Sequence, residues 1–185
     1  MKVITYTPSL LQAAADCLSS QILRNGDQPQ HIVAIRQGGA EVGKLMKEHF
    51  PEAVYEEITL TRSFGIEKSI LSPILRRFPV CLKDGLRMLE IRLMDLMKRT
   101  RVPERFGEVS LSIAPKMGET LLLVDDAIDT GATIQKAIDE IKKTFPGIII
   151  KVAVITVTTD QPLCDADYCL YHNRTLCRFP WSMDY

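Results

Sequence analysis

One short acidic stretch holds most of the side chains whose types and spacing could do chemistry. Asp125 and Asp126 stand side by side, Asp129 follows, and the next residues run from Thr130 to Thr133 as Thr-Gly-Ala-Thr. Ionised carboxylates only accept hydrogen bonds, which suits them to the adjacent hydroxyls of a sugar. Glycine lets the backbone approach a ligand closely, and threonine hydroxyls add donors. The pattern therefore predicts a site that holds a diol and an anion from one loop.

The flanking residues predict the elements that position this stretch. Thr120–Val124 is an uncharged, largely apolar run, typical of a buried strand. Downstream, large apolar residues recur at helical spacing, at Ile134, Ile138, Ile141 and Phe145, before Pro146-Gly147. Unpaired amides at the start of a helix carry the positive end of its dipole and attract phosphate. We expect a strand, a tight acidic loop and a helix, with Asp129 or Thr130 as the N-cap.

A second turn with small residues precedes the acidic one. His31–Arg36 is predicted to be a strand that leads through Gln37-Gly38-Gly39 into a helix ending near Phe50, and Val54–Thr61 is predicted to be the next strand. Strands alternating with helices indicate a parallel sheet with helices on both faces. Ligands in such sheets collect at the carboxyl ends of the strands. Both turns are therefore expected to contribute to one site. Ile148–Thr158 and Asp167–Leu170 are predicted as further strands.

The segment Leu121–Thr133, reading LLLVDDAIDTGAT, closely resembles the 5-phosphoribosyl-1-pyrophosphate (PRPP) signature of type I phosphoribosyltransferases. The resemblance implies that Asp125 and Asp126 hold the ribose hydroxyls and a Mg²⁺ ion, directly or through water. It implies that Asp129 is the general base. The same resemblance assigns the 5′-phosphate to a run of seven residues: Ala127, Ile128, Asp129, Thr130, Gly131, Ala132 and Thr133.

The turn after the first predicted strand resembles the pyrophosphate loop of the same family. The residues implied to bind pyrophosphate are Arg36, Gln37, Gly38, Gly39 and, further along, Arg62. We expect the two glycines to adopt backbone angles that turn amides toward the diphosphate. Gln37 stands between the arginine and the glycines, which is a departure from the usual pattern of the family.

The C-terminal residues Phe179-Pro180-Trp181 resemble the tail that lies beside the purine in bacterial xanthine–guanine phosphoribosyltransferases. This likeness implies an acceptor site at Thr158, Leu176 and Trp181. In the purine enzymes the positions corresponding to Thr158 and Leu176 hold a lysine and a stacking aromatic. We therefore expect the acceptor to be a nucleobase, a purine more than a pyrimidine, with another nitrogen acceptor left open.

Residues 62–107 depart from the family, which usually carries a mobile flap here. Leucines recur at alternating four- and three-residue steps, at Leu82, Leu86, Leu89, Leu93 and Leu96, amid many charged residues. This stripe predicts a helical insertion between the second and third strands. It could form a structural hairpin or a dimer contact, a basic lid over the pyrophosphate, or a nucleic-acid surface, in falling order of expectation.

The bulk composition bounds the class of protein. The 185 residues carry 23 basic and 23 acidic side chains, so no net charge favours nucleic acid or an anionic membrane. We expect a single phosphoribosyltransferase-like domain over residues 1–185, cytoplasmic and with reduced cysteines, because no signal-peptide layout or metal-like cysteine spacing is seen. Homodimers or larger homo-oligomers are expected, with PRPP and a small nitrogen acceptor as ligands.

Two other functions are compatible with the same residues. A regulator on this fold could bind PRPP without turning it over, since fold does not dictate function. An N-ribosyl hydrolase or a phosphorylase-like variant has support only from the unusual acceptor residues. Asp129 favours the transferase, because a pure PRPP binder would not need a third acid.

Overall fold

The computed structural model describes residues 2–59, 111–112, 114–172 and 175–182. Its strands are Lys2–Thr5 (β1), His31–Ile35 (β2), Val54–Ile58 (β3), Thr120–Ile128 (β4), Ile149–Val157 (β5), Tyr168–His172 (β6) and Thr175–Arg178 (β7). The main sheet has five strands in the order β3, β2, β4, β5, β6, and all neighbouring pairs are parallel. The predicted parallel α/β fold is confirmed.

Among the described residues, three helices cover the two faces of this sheet: Pro8–Arg24 (α1), Gly38–Lys47 (α2) and Ala132–Thr144 (α3). The apolar residues of α1 and α2 form one core with alternate residues of the central strands, and those of α3 form the second core on the opposite face. Every residue of β2 is buried, as expected for a strand covered on both faces. The Thr7 hydroxyl caps α1, and Pro8 occupies its first turn.

Strand β4 is longer than the sequence pattern predicts. It continues past Val124 to Ile128, because Asp125, Ala127 and Ile128 remain in register with β5. The acidic pair therefore lies on the end of a strand and not in a tight loop. The predicted cap of α3 is also wrong: its N-cap is Gly131, with φ of 78°, and no side chain caps it.

A second, two-stranded sheet was not predicted. In it β1 pairs in parallel with β7, and the Tyr6 amide extends the pairing to the carbonyl of Arg178. Each strand has four residues, too few for a periodic pattern to stand out from sequence alone. This sheet brings the residues after β7 back toward the start of the chain, where Phe179 stacks on Tyr6.

The predicted helical insertion 62–107, with Arg62, lies outside the described residues. Within the described ranges, no helix has the length and apolar character that crossing a bilayer requires.

Candidate functional site

The site lies where the connections of the sheet change direction. Strands β2 and β4 are neighbours, yet the helices that follow them, α2 and α3, cover opposite faces. Such a point opens a crevice outside the carboxyl ends of the strands. The predicted pyrophosphate residues from Gln37 onward follow β2, and the predicted phosphate residues from Asp129 onward follow β4, so both turns lie at this edge of the sheet.

The first turn is packed directly on the end of β4. A Cβ added to Gly39 would overlap the carbonyl oxygen of Val124 and lie 2.9 Å from the Cα of Asp125. A Cβ on Gly38 would overlap the carboxylate of Asp126. Both glycines belong to α2 and neither has a positive φ. The expectation of unusual backbone angles is therefore wrong: glycine is required here because two backbone segments approach each other closely.

The two adjacent aspartates have different surroundings. Asp126 Oδ2 accepts a hydrogen bond from the indole Nε1 of Trp181 at 2.7 Å. Burial raises the pKa of Asp126, while the bond from Trp181 opposes that effect. Asp125 Oδ1 accepts from the backbone amide of Asp126 at 2.9 Å. Trp181, which the sequence assigned to the acceptor, thus lies beside the acidic pair.

Asp129 is exposed just beyond β4, and a hydroxyl from the next strand holds it. Thr158 Oγ1 lies 2.9 Å from Asp129 Oδ1, to which it can donate, and the Thr158 amide donates to the carbonyl of Ile128. Thr158 was assigned to the acceptor from sequence, but its contact in the structure is with the predicted base. A hydroxyl that donates to a carboxylate favours one orientation of that carboxylate.

The residues after Asp129 form a turn supported from one side by the connection between β5 and β6. The Leu163 amide donates to the Thr130 carbonyl at 2.9 Å. A Cβ on Gly131 would lie 2.8 Å from the amide nitrogen of Cys164 and 2.9 Å from that of Leu163. Gly131 is therefore required twice, by its positive φ and by this contact.

Several amides of this turn remain available for a ligand. In the described part of the chain, the backbone amides of Asp129, Thr130 and Gly131 donate to no protein acceptor. The amide of Ala132 lies 3.3 Å from Thr130 Oγ1, within the turn itself. Amides at the start of α3 also carry the positive end of its dipole. The turn consequently has the donors and the local potential that a phosphate requires.

Arg36 is engaged by the protein at the edge of the site. Its Nε donates to Glu57 Oε2 at 2.6 Å, and Lys44 lies 3.3 Å from the other oxygen of Glu57. The hydrogen bond from Arg36 is the largest cause lowering the pKa of Glu57. The Arg36–Gln37 peptide bond is cis, and Gln37 is exposed. Arg36 therefore forms an ion pair with Glu57 of β3, and more than half of the arginine side chain is exposed to water.

The remaining predicted residues are distributed differently. Ala127 and Ile128 belong to β4, where Ile128 is buried in the α3 core, while Ala132 and Thr133 begin α3. Leu176 is buried in β7 opposite Val3 and belongs to neither core cluster. The structure thus brings Trp181 to the acidic pair and gives no such contact to Leu176.

Sequence reasoning missed two features of the site. Glu57, the partner of Arg36, sits in a strand that reads only as apolar and acidic residues in succession. The support of the acidic turn by Leu163 and Cys164 involves backbone atoms, which leave no side-chain signal. Neither could be found without the register of the strands.

Comparison with known proteins identifies the class. The family model of the phosphoribosyl transferase domain matches residues 4–171, so the chain belongs to this family. The transferase class predicted from the PRPP signature is thereby confirmed. No curated protein sequence matches the chain.

Solved structures similar to the chain agree on the fold. A purine phosphoribosyltransferase from Pyrococcus horikoshii has a TM-score of 0.63 at 17% identity, covering 98% of this chain and 95% of its own. A hypothetical protein from Neisseria gonorrhoeae with bound ppGpp has a TM-score of 0.65 at 16% identity, and the match covers 98% of this chain and 89% of that protein. The xanthine-guanine-hypoxanthine phosphoribosyltransferase of Helicobacter pylori has a TM-score of 0.62 at 14% identity, and the match covers 98% of this chain and 95% of that enzyme.

Proposed function

We propose that this protein transfers the 5-phosphoribosyl group of PRPP to a ring nitrogen of a nucleobase, with a purine preferred, and releases pyrophosphate. One observation carries the proposal: the glycine turn after β2 is in contact with the acidic pair at the end of β4. Gly38 meets Asp126, and Gly39 meets Asp125. A ligand carrying a diphosphate next to a ribose needs these two kinds of group adjacent to each other.

The parts of PRPP are assigned from the chemistry of the residues. The amides of Asp129 to Gly131, with the Thr130 and Thr133 hydroxyls, bind the 5′-phosphate at the start of α3. Asp125 and Asp126 hold the ribose hydroxyls, and their charge favours the cationic ring that develops as the bond to pyrophosphate breaks. The turn Arg36–Gly39 binds the pyrophosphate, for which Arg36 must exchange Glu57 for the ligand.

A magnesium ion fits this arrangement only together with the substrate. Among the described residues no group of three or more metal-ligating side chains occurs. Mg²⁺ commonly uses one or two carboxylates and completes its shell with substrate phosphates and water. Asp125 and Asp126 supply such carboxylates, and the bound ion would offset charge on the departing pyrophosphate.

In this proposal the acceptor nucleobase lies between the general base Asp129 and the C-terminal residue Trp181. Asp129 takes the proton of the attacking ring nitrogen, and Thr158 holds Asp129 for that role. Trp181 and the purine enzymes among the solved neighbours favour a purine over other acceptors.

The test is pyrophosphate release. Purified protein is incubated with PRPP, Mg²⁺ and, in separate reactions, purines, pyrimidines and small amides, and free pyrophosphate is measured. We expect pyrophosphate to be released with a 6-oxopurine, and we expect this release to require both PRPP and the purine. Tight PRPP binding with no release for any acceptor would contradict the proposal and favour a PRPP-binding regulator.

A further inference from the structure

The indole of Trp181 is fixed from two sides. Its Nε1 donates to Asp126 at 2.7 Å, and its ring stacks on Phe179 with centroids 5.1 Å apart and planes 1° from parallel. Phe179 stacks in turn on Tyr6, which is almost fully buried. The stacking on Phe179 ties Trp181 to the core, whereas the hydrogen bond ties it to the acidic pair.

Gly38 is the third member of this contact. A Cβ built on Gly38 would overlap Asp126 Oδ2 and lie 2.7 Å from Trp181 Nε1. The first residue of α2 therefore touches both partners of the hydrogen bond at once. Three segments distant in sequence meet at one point: the glycine turn, the end of β4 and the C-terminal tail. Because these atoms are close-packed, a displacement of one must displace the others.

We propose that Asp126 couples the pyrophosphate end of the site to its acceptor end, with Asp126 and Gly38 acting as positioning residues for Trp181. The inference rests on the proposed function for the identity of the two ends. When diphosphate binds at the glycine turn, Gly38 and Asp126 adjust, and the indole bonded to Asp126 moves with them. Occupancy at one end then changes the affinity at the other, and the reciprocal effect follows by thermodynamic linkage.

The chain contains its own reporter for this coupling. Trp181 is the only tryptophan in the sequence, so the indole emission of the protein comes from this one side chain. Loss of the hydrogen bond to Asp126 would expose the indole nitrogen to water. We therefore expect Asp126→Ala to shift the emission to longer wavelength and to increase quenching by acrylamide, relative to the parent protein.

Three further variants make this first experiment specific. Asp126→Asn retains an oxygen that accepts from Nε1 and should keep the emission of the parent. Gly38→Ala inserts a methyl between the partners and should behave like Asp126→Ala while leaving the carboxylate in place. Asp129→Ala removes a nearby carboxylate that is bonded to Thr158 and not to the indole, and it should leave the Trp181 emission unchanged. Folding of each variant is checked by circular dichroism. Parent-like emission in both Asp126→Ala and Gly38→Ala would overturn the proposal.

The closing experiment adds Mg²⁺ with pyrophosphate as the probe and follows calorimetric heat and Trp181 emission on the same samples. We expect both signals to saturate with one dissociation constant in the parent. Heat with constant emission in the parent would overturn the coupling and leave the proposed function intact. Absence of heat in the parent would instead remove the pyrophosphate site, and with it both the coupling and that part of the proposed function.

Discussion

Replacing Gly131 by alanine tests the geometry of the proposed phosphate turn more directly than any other single change. Gly131 precedes α3 with a φ of 78°, a conformation that residues with a Cβ disfavour. The new methyl would lie 2.8 Å from the amide nitrogen of Cys164 and 2.9 Å from that of Leu163. Because both neighbours are backbone atoms, neither can rotate away as a side chain would. The turn or the β5–β6 connection must therefore move.

Two terms set the expected cost. The left-handed conformation costs alanine about 1–2 kcal/mol relative to glycine. Forcing a methyl into a packed contact costs about 1–3 kcal/mol more. The sum of roughly 2–5 kcal/mol is a large part of a typical stability of about 5–15 kcal/mol. With a urea m-value of about 2 kcal/mol/M, the midpoint should fall by about 1–2.5 M.

Urea unfolding followed by circular dichroism measures this midpoint, and the chain offers a matched control. Gly26 has a φ of 79°, yet an added Cβ would meet nothing within 4 Å. Gly26→Ala should therefore show only the conformational term, about 0.5–1 M in midpoint by the same m-value. The difference between the two variants isolates the contact of Gly131 with Leu163 and Cys164.

The result that refutes this reasoning is a Gly131→Ala protein no less stable than Gly26→Ala. In that case the β5–β6 connection would not lie against the turn, and the turn would lose the support on which its proposed phosphate site depends. A larger loss for Gly131→Ala, accompanied by weaker PRPP binding in calorimetry, would support both the contact and the site.

Four further predictions concern the carboxylates and the threonine bonded to one of them. Asp125→Ala combined with Asp126→Ala should abolish PRPP binding in calorimetry, and unchanged affinity would count against the site. Asp129→Asn should bind PRPP normally but turn over slowly. Thr158→Val should lower the turnover rate about fivefold, because it loses one hydrogen bond worth about 1 kcal/mol, and Thr158→Ser should restore the rate. Turnover rates equal to that of the parent in all of these variants would remove the proposed roles of Asp129 and Thr158. Burial raises the pKa of Asp126 above its ordinary 3.8, so the native state binds more protons than the unfolded state above that pH, and stability falls as the pH rises through the native pKa. Asp126→Asn should accordingly be more resistant to urea than the parent at pH 7, with the gain shrinking toward pH 4, and a gain that does not vary with pH would contradict this.

The strand–turn–helix at the centre of the protein was predictable because its signals are local. A buried parallel strand needs a run of apolar side chains, and a helix packed on one face needs apolar residues at its own period. Both are visible in Thr120–Val124 and in the isoleucines of α3. The acid and glycine pattern between them is equally local, so the family could be inferred from one stretch of sequence.

The boundaries and caps were less predictable, since pairing partners decide them. The sequence places Asp125 and Asp126 in a loop after the strand, but the register with β5 extends β4 past them to Ile128. Asp129 has the chemistry of a helix cap, yet its carboxylate bonds to Thr158, and Gly131 takes the cap position. In each case a contact with another segment of the chain, and not the local sequence preference, sets the structure.

The class of fold, the acidic turn and its accompanying glycines could be identified from the amino-acid sequence alone, because periodicity and residue type act over a few neighbouring residues. Three contacts depend on the folded structure: Trp181 with Asp126 beside Gly38, Arg36 with Glu57, and Thr158 with Asp129. The three side-chain hydrogen bonds among these contacts join residues 21, 29 and 55 positions apart. Their formation depends on strand order and on close packing at the carboxyl edge of the sheet, and no local pattern encodes either.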